Sequence, residues 1–417
     1  MHKLSEDLLH FIWKHKLLQP GPLQTVSGKP LKILQPGEHN LHAGPDFSNA
    51  RIDLNGLTLA GNLEIHVRSS DWRKHGHQAD PAYNQLVLHV VYENDEVVQQ
   101  NTDHAVEVLE LKDHIASTTL EQYQHLGRSA AVIPCGPQLH RLEHFRFYSW
   151  VERMAVERLE TKVVAIEELF RQSGNDYTIT FYKWLMRAFG LPVNKVPFEA
   201  LAVALPITLL LRYNDDLIRL EALLLGMAGL LERETDEKRR RTLLNEFAFL
   251  TTKHQLVPLP AGIFKFARMR PPDFPDKRLK QMAQLIGHHS AFITHPHAVG
   301  DLKTIKTALQ AVGAGEGFIS RLVINAYVPW LFFYGKRLMH ANYQQQALRL
   351  LEACAPENNA KTRCFTGIQP QVQTALQSQG LLHLYDQYCV RKRCLYCGIA
   401  ASLLKPAAND ANPPTDS

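Results

Sequence analysis

The chain has 417 residues, of which 45% are hydrophobic and 21% charged, the composition of a soluble globular protein. The net charge of +5 is too small over this length to indicate nucleic-acid binding by itself. The N-terminus lacks a signal-peptide pattern and the longest apolar runs, interrupted by Pro206 or Pro329, fall short of the roughly 20 residues that cross a bilayer, so we expect no membrane association.

The N-terminal part of the chain predicts one helix followed by a small sheet. Ser5 is a suitable N-cap for a helix over 4–17. The segments ARIDL and NLEIHVR flank Asn55-Gly56, which predicts a β-hairpin. The segments QLVLHVVY and HAVEVLEL predict two further strands. We therefore predict a domain over 1–112 with one helix and a mixed or antiparallel sheet.

The rest of the chain is rich in helical patterns. We predict a helical domain over 113–352, a C-terminal helical segment with a cysteine cluster over 353–403 and a disordered tail over 404–417, which is polar and contains three prolines. The predicted fold class is α+β.

Asp46, Glu64, His66 and Arg68 are the candidate catalytic residues. The two-residue period of a strand places Glu64, His66 and Arg68 on one face, and the hairpin folds Asp46 back toward them. Asp46 and Glu64 suit Mg²⁺ or Mn²⁺, which can supply a hydroxide near neutral pH. The alternative is that Asp46 caps a turn and the strand face is solvated.

Histidines are concentrated in this region, with 11 of the 21 in the first 114 residues. His75 and His77 follow the Glu-x-His strand closely enough to line the same cleft, where they could contact phosphate or a transition metal. Taken singly, each is more often a surface or structural histidine. His89 lies within an apolar strand, which predicts a buried, hydrogen-bonded side chain.

A basic and aromatic segment lies near the middle of the chain. Arg268, Arg270 and Arg278 alternate with phenylalanines, a combination that suits a phosphate backbone or unstacked bases. A solvated helix face is the commoner explanation of such a pattern.

Cys389, Cys394 and Cys397 form a C-x₄-C-x₂-C pattern near the C-terminus. Thiolates at this spacing can bind Zn²⁺ or part of an iron–sulfur cluster. Cys364 or His383 could be the fourth ligand, and the alternative is a set of free thiols. Only six cysteines in the whole chain do not suggest a secreted disulfide scaffold, so we expect a cytoplasmic protein.

The order of the N-terminal motifs resembles the PD-(D/E)XK, or restriction-endonuclease-like, nucleases. The Pro-Asp pair is Pro45-Asp46 and the second motif is Glu64-Ile65-His66, with His66 at the position where those nucleases have lysine. Over nearly the whole chain, the segments AGPDFSNARI, GNLEIHVRSSDW, RMRPPDFPDKRL and YCVRKRCLYCGI resemble a bacterial family of about this length that is known only as a domain of unknown function.

These features predict a divalent-metal-dependent phosphodiesterase acting on nucleic acid. Asp46 and Glu64 hold the metal, His66 activates water or joins the metal, and Arg68 with His75 or His77 contacts the phosphate. One alternative is a non-catalytic nucleic-acid-binding or scaffold protein, which the missing lysine favours. Another is a hydrolase of small phosphorylated metabolites that uses the same residues.

Overall fold

A computed structural model describes residues 4–40, 42–97, 106–267, 269, 274–365 and 372–404. Its contacts divide the chain into two compact units. Unit 1 comprises 1–150, 364–370 and 384–417, and unit 2 comprises 151–363 and 371–383. Arg268, Arg270 and 405–417 of the predicted tail lie outside the described residues. The predicted α+β fold class is confirmed.

Unit 1 begins with a helix and a mixed seven-stranded sheet in the order β1-β2-β4-β5-β6-β7, with β3 paired to β4. The pairs β5–β6 and β6–β7 are parallel, and the other pairs are antiparallel. The elements of this part are α1 (Glu6–Lys14), β1 (Leu23–Gln24), β2 (Pro30–Gln35), β3 (Glu38–His39), β4 (Phe47–Leu54), β5 (Leu57–Arg68), α2 (Asp71–Lys74), β6 (Leu86–Glu93), β7 (Val108–Glu110) and α3 (Ser117–Arg128).

The turn between β4 and β5 has the backbone that its sequence predicts. Asn55 has φ 51° and Gly56 has φ 84°, the two positive values of a type I′ hairpin turn. Beyond the turn the strands pair in antiparallel register from Leu54 opposite Leu57 to Phe47 opposite Leu63. The hairpin thus returns the start of β4 to the second half of β5.

Helix α1 packs against β5. Ser5 caps it by accepting a hydrogen bond from the Leu8 N–H, and its apolar face is fully buried through Leu9 and Ile12. Trp13 Nε1 donates to the carbonyl of Pro36 at 2.9 Å, which fixes the end of the helix to the loop after β2.

Unit 2 is helical and has one continuous hydrophobic core, which includes Phe181, Trp330 and Phe333. Four helices of this unit have aspartate N-caps, namely Asp176, Asp216, Asp236 and Asp301. The α-helices from α4, of which the residues up to Trp150 belong to unit 1, are α4 (His144–Gln172), α5 (Tyr177–Phe189), α6 (Leu191–Ala204), α7 (Ile207–Leu210), α8 (Leu217–Met227), α9 (Glu237–His254), α10 (Pro275–His289), α11 (Ala291–Thr294), α12 (Leu302–Ala311), α13 (Glu316–Leu322), α14 (Val328–Arg337), α15 (Ala341–Ala353), α16 (Ala360–Arg363) and α17 (Ala375–His383).

The end of the described chain returns to unit 1 as a π-helix (Leu384–Cys389), a 3₁₀-helix (Cys394–Tyr396) and α18 (Gly398–Leu403). In the part of the chain that the structure describes, no single helix is long and apolar enough to cross a membrane. One pair, Leu191–Ala204 with Ile207–Tyr213, meets that test of length and composition jointly, with a 64° bend between its two halves.

Candidate metal centre

Asp46 and Glu64 are held side by side through two backbone hydrogen bonds. The Asp46 N–H donates to Glu64 Oε2 at 3.0 Å, and the Ile65 N–H donates to Asp46 Oδ2 at 2.9 Å. Each carboxylate therefore accepts a hydrogen bond from a backbone N–H at or next to the other residue. The predicted proximity of these two residues is present, and it results from the hairpin.

Glu64 and His66 are buried, with 4% and 1% exposure, so they do not form a solvated strand face. His66 Nε2 lies 3.7 Å from Glu64 Oε1, and His77 Nε2 lies 3.2 Å from the same oxygen. His75 Nδ1 lies 3.2 Å from His66 Nε2. Three imidazoles thus lie close together, and the Glu64 carboxylate lies beside two of them.

His66, His75 and His77 offer donor atoms that all lie within 4.8 Å of one another, the spacing of a metal-ligand set. The turn after β5 produces this arrangement, because α2 follows the strand at once and Gly76 has φ 77°. Glu64 and His66 come from the strand, and His75 and His77 come from the turn beside it.

A second layer of aromatic groups supports the imidazoles. His66 Nδ1 and His89 Nε2 are 2.9 Å apart, and His89 is 1% exposed, which confirms that it is buried and hydrogen-bonded. The fully buried Trp72 packs edge-on against His66 and His77. This layer holds His66 so that Nε2 points toward His75 and Glu64.

Burial keeps the centre largely uncharged. Desolvation, followed by the charge of Asp46, raises the pKa of Glu64 to about 8. Desolvation, followed by the neighbouring histidines, lowers the pKa of His66 to about 2, and it also lowers the pKa of His77. Glu64, His66 and His77 are therefore neutral neighbours at neutral pH, not ion pairs. A bound cation would reverse the balance at Glu64 by favouring its carboxylate.

His10 reaches the same region from α1. Its Nε2 lies 3.1 Å from Asp46 Oδ2. Desolvation lowers the pKa of His10, but the hydrogen bond and charge of Asp46 outweigh it, so the net shift is upward. Glu6, one helical turn earlier, has a raised pKa caused first by burial, and its charge interacts with His75 and Asp46. Helix α1 therefore contributes a carboxyl group, from Glu6, and an imidazole, from His10, to one side of the centre.

Two of the predicted arginines, Arg68 and Arg278, lie in the described part of the chain. The side chain of Arg68 is 58% exposed, and its Nε lies 3.9 Å from Glu93 Oε2. Arg278 belongs to unit 2 and is 3% exposed, with its guanidinium over the Phe318 ring and a hydrogen bond to Gln281. Its burial leaves no surface for a phosphate. Arg268 and Arg270 lie outside the described residues.

The predicted cysteines belong to unit 1. Cys389 and Cys397 are buried, and Cys394, which lies between them in the sequence, is half-buried. Cys364 is half-buried and lines a cleft of about 570 Å³ with Ile133, Gly136 and His140. His383 belongs to unit 2, where its Nε2 lies 3.2 Å from Glu157 Oε1.

Three residues of the centre were not singled out from the sequence, namely Glu6, His10 and Tyr83. The Tyr83 ring packs against His77 with centroids 4.1 Å apart, and burial followed by the charge of Glu64 raises the pKa of Tyr83 to about 12. The signal that could have found His10 is the histidine enrichment of the N-terminal region, together with a polar residue inside an apolar helix segment.

A family model described as "Protein of unknown function (DUF2851)" matches residues 6–314. No curated protein and no solved structure matches the chain.

Proposed function

The chain belongs to the DUF2851 family of proteins of unknown function, and from its site we propose that it is a divalent-metal-dependent phosphodiesterase acting on nucleic acid. The observation that carries the proposal is the cluster of His66, His75 and His77, with the Glu64 carboxylate beside His66 and His77. Ligand atoms about 2.1 Å from one ion lie roughly 3.0–3.5 Å apart, the range of the shortest distances here.

The ligand set favours a transition metal over Mg²⁺. Three imidazoles and one carboxylate suit Mn²⁺, Fe²⁺, Ni²⁺ or Zn²⁺, whereas Mg²⁺ prefers oxygen ligands and water. His66, His75 and His77 would hold the ion, and Glu64 lies beside His66 and His77. His89 and the Asp46 N–H would orient His66 and Glu64 from behind.

When bound, such an ion polarises a phosphodiester and lowers the pKa of a coordinated water. His66 is neutral and buried, so it serves as a ligand and does not supply the positive charge of the lysine that the resembling nucleases have. His10, hydrogen-bonded to Asp46, is the group placed to hold and move a proton beside the centre.

The choice of nucleic acid as substrate rests on the order of elements. A helix packed on the sheet, a Pro-Asp pair before a hairpin, and a Glu-x-basic motif on the second hairpin strand follow the resemblance to PD-(D/E)XK nucleases. The parallel strand β6 beside β5 agrees with a mixed sheet of that kind.

The test uses the full chain, freed of metal and then loaded separately with Mn²⁺, Zn²⁺, Fe²⁺, Ni²⁺ or Mg²⁺. We expect cleavage of single- or double-stranded DNA or RNA with a transition metal. His75→Ala and Glu64→Gln should lower both metal content and turnover at least about 100-fold, while the exposed unit 2 variant His340→Ala keeps both. Equal turnover by wild type and Glu64→Gln would contradict the proposal.

The second candidate is a nucleic-acid-binding or scaffold protein with a non-catalytic metal. The burial of His66 and the exposure of Arg68 favour it, because neither side chain offers a cation to the phosphate in the centre. Salt-dependent binding of nucleic acid without turnover under any metal would support this second function. Turnover of small phosphate esters alone would instead identify a metabolite hydrolase.

A further inference from the structure

The C-terminal cysteine segment is anchored to the rest of unit 1 at three points. Lys392 Nζ donates to the Gly127 carbonyl at the end of α3, at 3.2 Å. Gly398 lies directly against the Trp150 ring, in space where a Cβ would clash. Helix α18 packs on the 3₁₀-helix Gly136–Arg141. These anchors hold residues 389–397 beside the turn that precedes Gly136.

Cys135 lies in that turn. It immediately precedes the helix Gly136–Arg141, just as Cys397 immediately precedes α18, and the two helices are in contact. Two cysteines that are more than 250 residues apart in sequence are thereby brought to the same side of unit 1.

The electrostatics of the thiols agree with this placement. Burial raises the pKa of Cys135 to about 12, and the next causes are the charges of Cys397 and Cys394. Burial also raises the pKa of Cys389, with further contributions from Cys397, Cys135 and Cys394.

We propose that Cys135 is the fourth ligand of a thiolate metal centre whose other ligands are Cys389, Cys394 and Cys397. The group that these cysteines bind is either an iron–sulfur cluster or a zinc ion, because four thiolates suit both. The centre joins the N-terminal part of unit 1 to its C-terminal segment. It is separate from the histidine centre and does not depend on the proposed function.

The charges around the segment fit such a centre. Four thiolates with one Zn²⁺ carry a net charge of about −2. Arg391, Lys392 and Arg393 lie in the loop between the first two cysteine ligands and are exposed. They can offset that negative charge without being buried themselves.

The distances between the sulfurs bear on the choice between zinc and an iron–sulfur cluster. Of the described histidine, cysteine and acidic residues, His66, His75 and His77 are the one group of three or more with donor atoms within 4.8 Å. The four cysteine sulfurs therefore do not form the closed set, with sulfurs roughly 3.8 Å apart, that binds one zinc ion, and metal analysis decides between the two groups.

The test begins with full-length protein purified without oxygen, in which iron, acid-labile sulfide, zinc and the visible spectrum are measured. We expect one centre per chain. Cys135→Ser should lower its content more than about tenfold, and the matched half-buried variant Cys364→Ser should leave it unchanged. Glu64→Gln should also leave it unchanged, which separates this result from that of the histidine centre.

A second measurement covers the case in which Cys135→Ser does not fold. Alkylation of wild-type protein, followed by mass spectrometry, should show Cys135, Cys389, Cys394 and Cys397 protected together and becoming reactive together when the metal is removed. Cys364 should react equally in both states. Protein without iron or zinc at the thiols, or a centre lost in Cys364→Ser but kept in Cys135→Ser, would overturn the proposal.

Discussion

Glu64 is the acidic residue of the centre whose negative charge is most strongly disfavoured by its surroundings. Its carboxyl group is buried beside a second carboxylate, and its raised pKa of about 8 means that the folded, metal-free protein holds a proton there at neutral pH. The unfolded chain releases that proton near pH 4.3. His66 and His89 have the opposite property, because burial lowers their pKa values to about 2 and about 4. A bound metal ion suits both kinds of side chain, because it favours the charged carboxylate and the neutral imidazole.

These shifts predict how the stability of metal-free protein depends on pH. Above pH 6.5 His66 and His89 are neutral in both states, whereas folded Glu64 keeps a proton that the unfolded chain lacks, so stability falls as the pH rises. From pH 6.5 to 8 the loss for Glu64 is about 2 kcal/mol. Below pH 6.5 stability also falls as unfolded histidines take up protons. Thermal or urea unfolding of metal-free protein across this range measures both slopes.

Glu64→Gln is the control for the alkaline slope, because the amide is neutral throughout. It should reduce that slope and leave the acidic slope in place. Saturating metal should flatten the alkaline slope of the wild type, since the ion replaces the proton. The same alkaline slope in wild type and variant would show that other groups, such as His10 with its raised pKa, dominate.

At the scale of single residues, the sequence predicted part of the centre. Asp46, Glu64 and His66 were found because strand period and the Asn55-Gly56 turn are local signals, and local geometry is enough to bring them together. His10 was missed, because its position depends on how α1 packs on β5. Arg68 lies at the end of β5 with its side chain 58% exposed, and its contact with phosphate stays a prediction.

Among the elements, β5 determines the geometry of the centre. It pairs antiparallel with β4 through the hairpin and parallel with β6 through the segment that contains His75 and His77. The parallel register shifts between Asn62 and Leu63, just before Glu64. Gly61 precedes this irregularity, and a Cβ there would lie 2.6 Å from Val87 Cγ1 and 3.0 Å from the Gln85 carbonyl oxygen.

Gly61→Ala should therefore separate β5 from β6 and displace Glu64. We expect a loss of about 1–3 kcal/mol in the free energy of unfolding, the usual range for overpacking, together with weaker metal binding. Unfolding by urea and competition with a coloured chelator measure the two effects.

Gly127→Ala is the matched control, because open space surrounds that position in α3 and its φ is not positive. It should be neutral or slightly stabilising, since alanine is the better helix residue. If Gly61→Ala behaved like this control, the close approach of β5 to β6 would not be what positions Glu64.

At the scale of the whole molecule, both candidate metal centres lie in unit 1. The histidine centre uses residues 64–77, the proposed thiolate centre uses 135 and 389–397, and all of these belong to that unit. Unit 2 has its own continuous apolar core of buried helices. Stability gained from metal binding is therefore expected in unit 1.

Hydrogen exchange tests this distribution. Metal removal with a chelator under reducing conditions should increase exchange in β5, β6 and residues 389–397. Exchange in the buried unit 2 helices α5 and α14 should stay unchanged, and adding metal back should restore the protection of unit 1. An equal loss of protection in α5 and α14 would show that the metals stabilise the whole chain.

The arrangement of the units was not readable from local sequence patterns. The change from strand-like to helical patterns was visible, and the α+β class follows from it. The return of residues 384–404 to unit 1 could not be predicted from these patterns. It depends on contacts such as Lys392 with Gly127 and Gly398 with Trp150. Periodicity describes one element at a time and contains no information on such distant pairs.

The return of residues 384–404 to unit 1 delays the completion of this unit during protein synthesis. When the ribosome has made Cys135, about 250 more residues must follow before Cys389 and its neighbours emerge. At roughly 5–20 residues per second this takes about 13–50 s, during which the first 150 residues exist without their closing segment. A nascent chain stalled after unit 2 would display the Trp150 surface that Gly398 covers in the finished protein. Completion of unit 1 thus waits for the synthesis of residues 384–404, and translation speed becomes a factor in its folding yield.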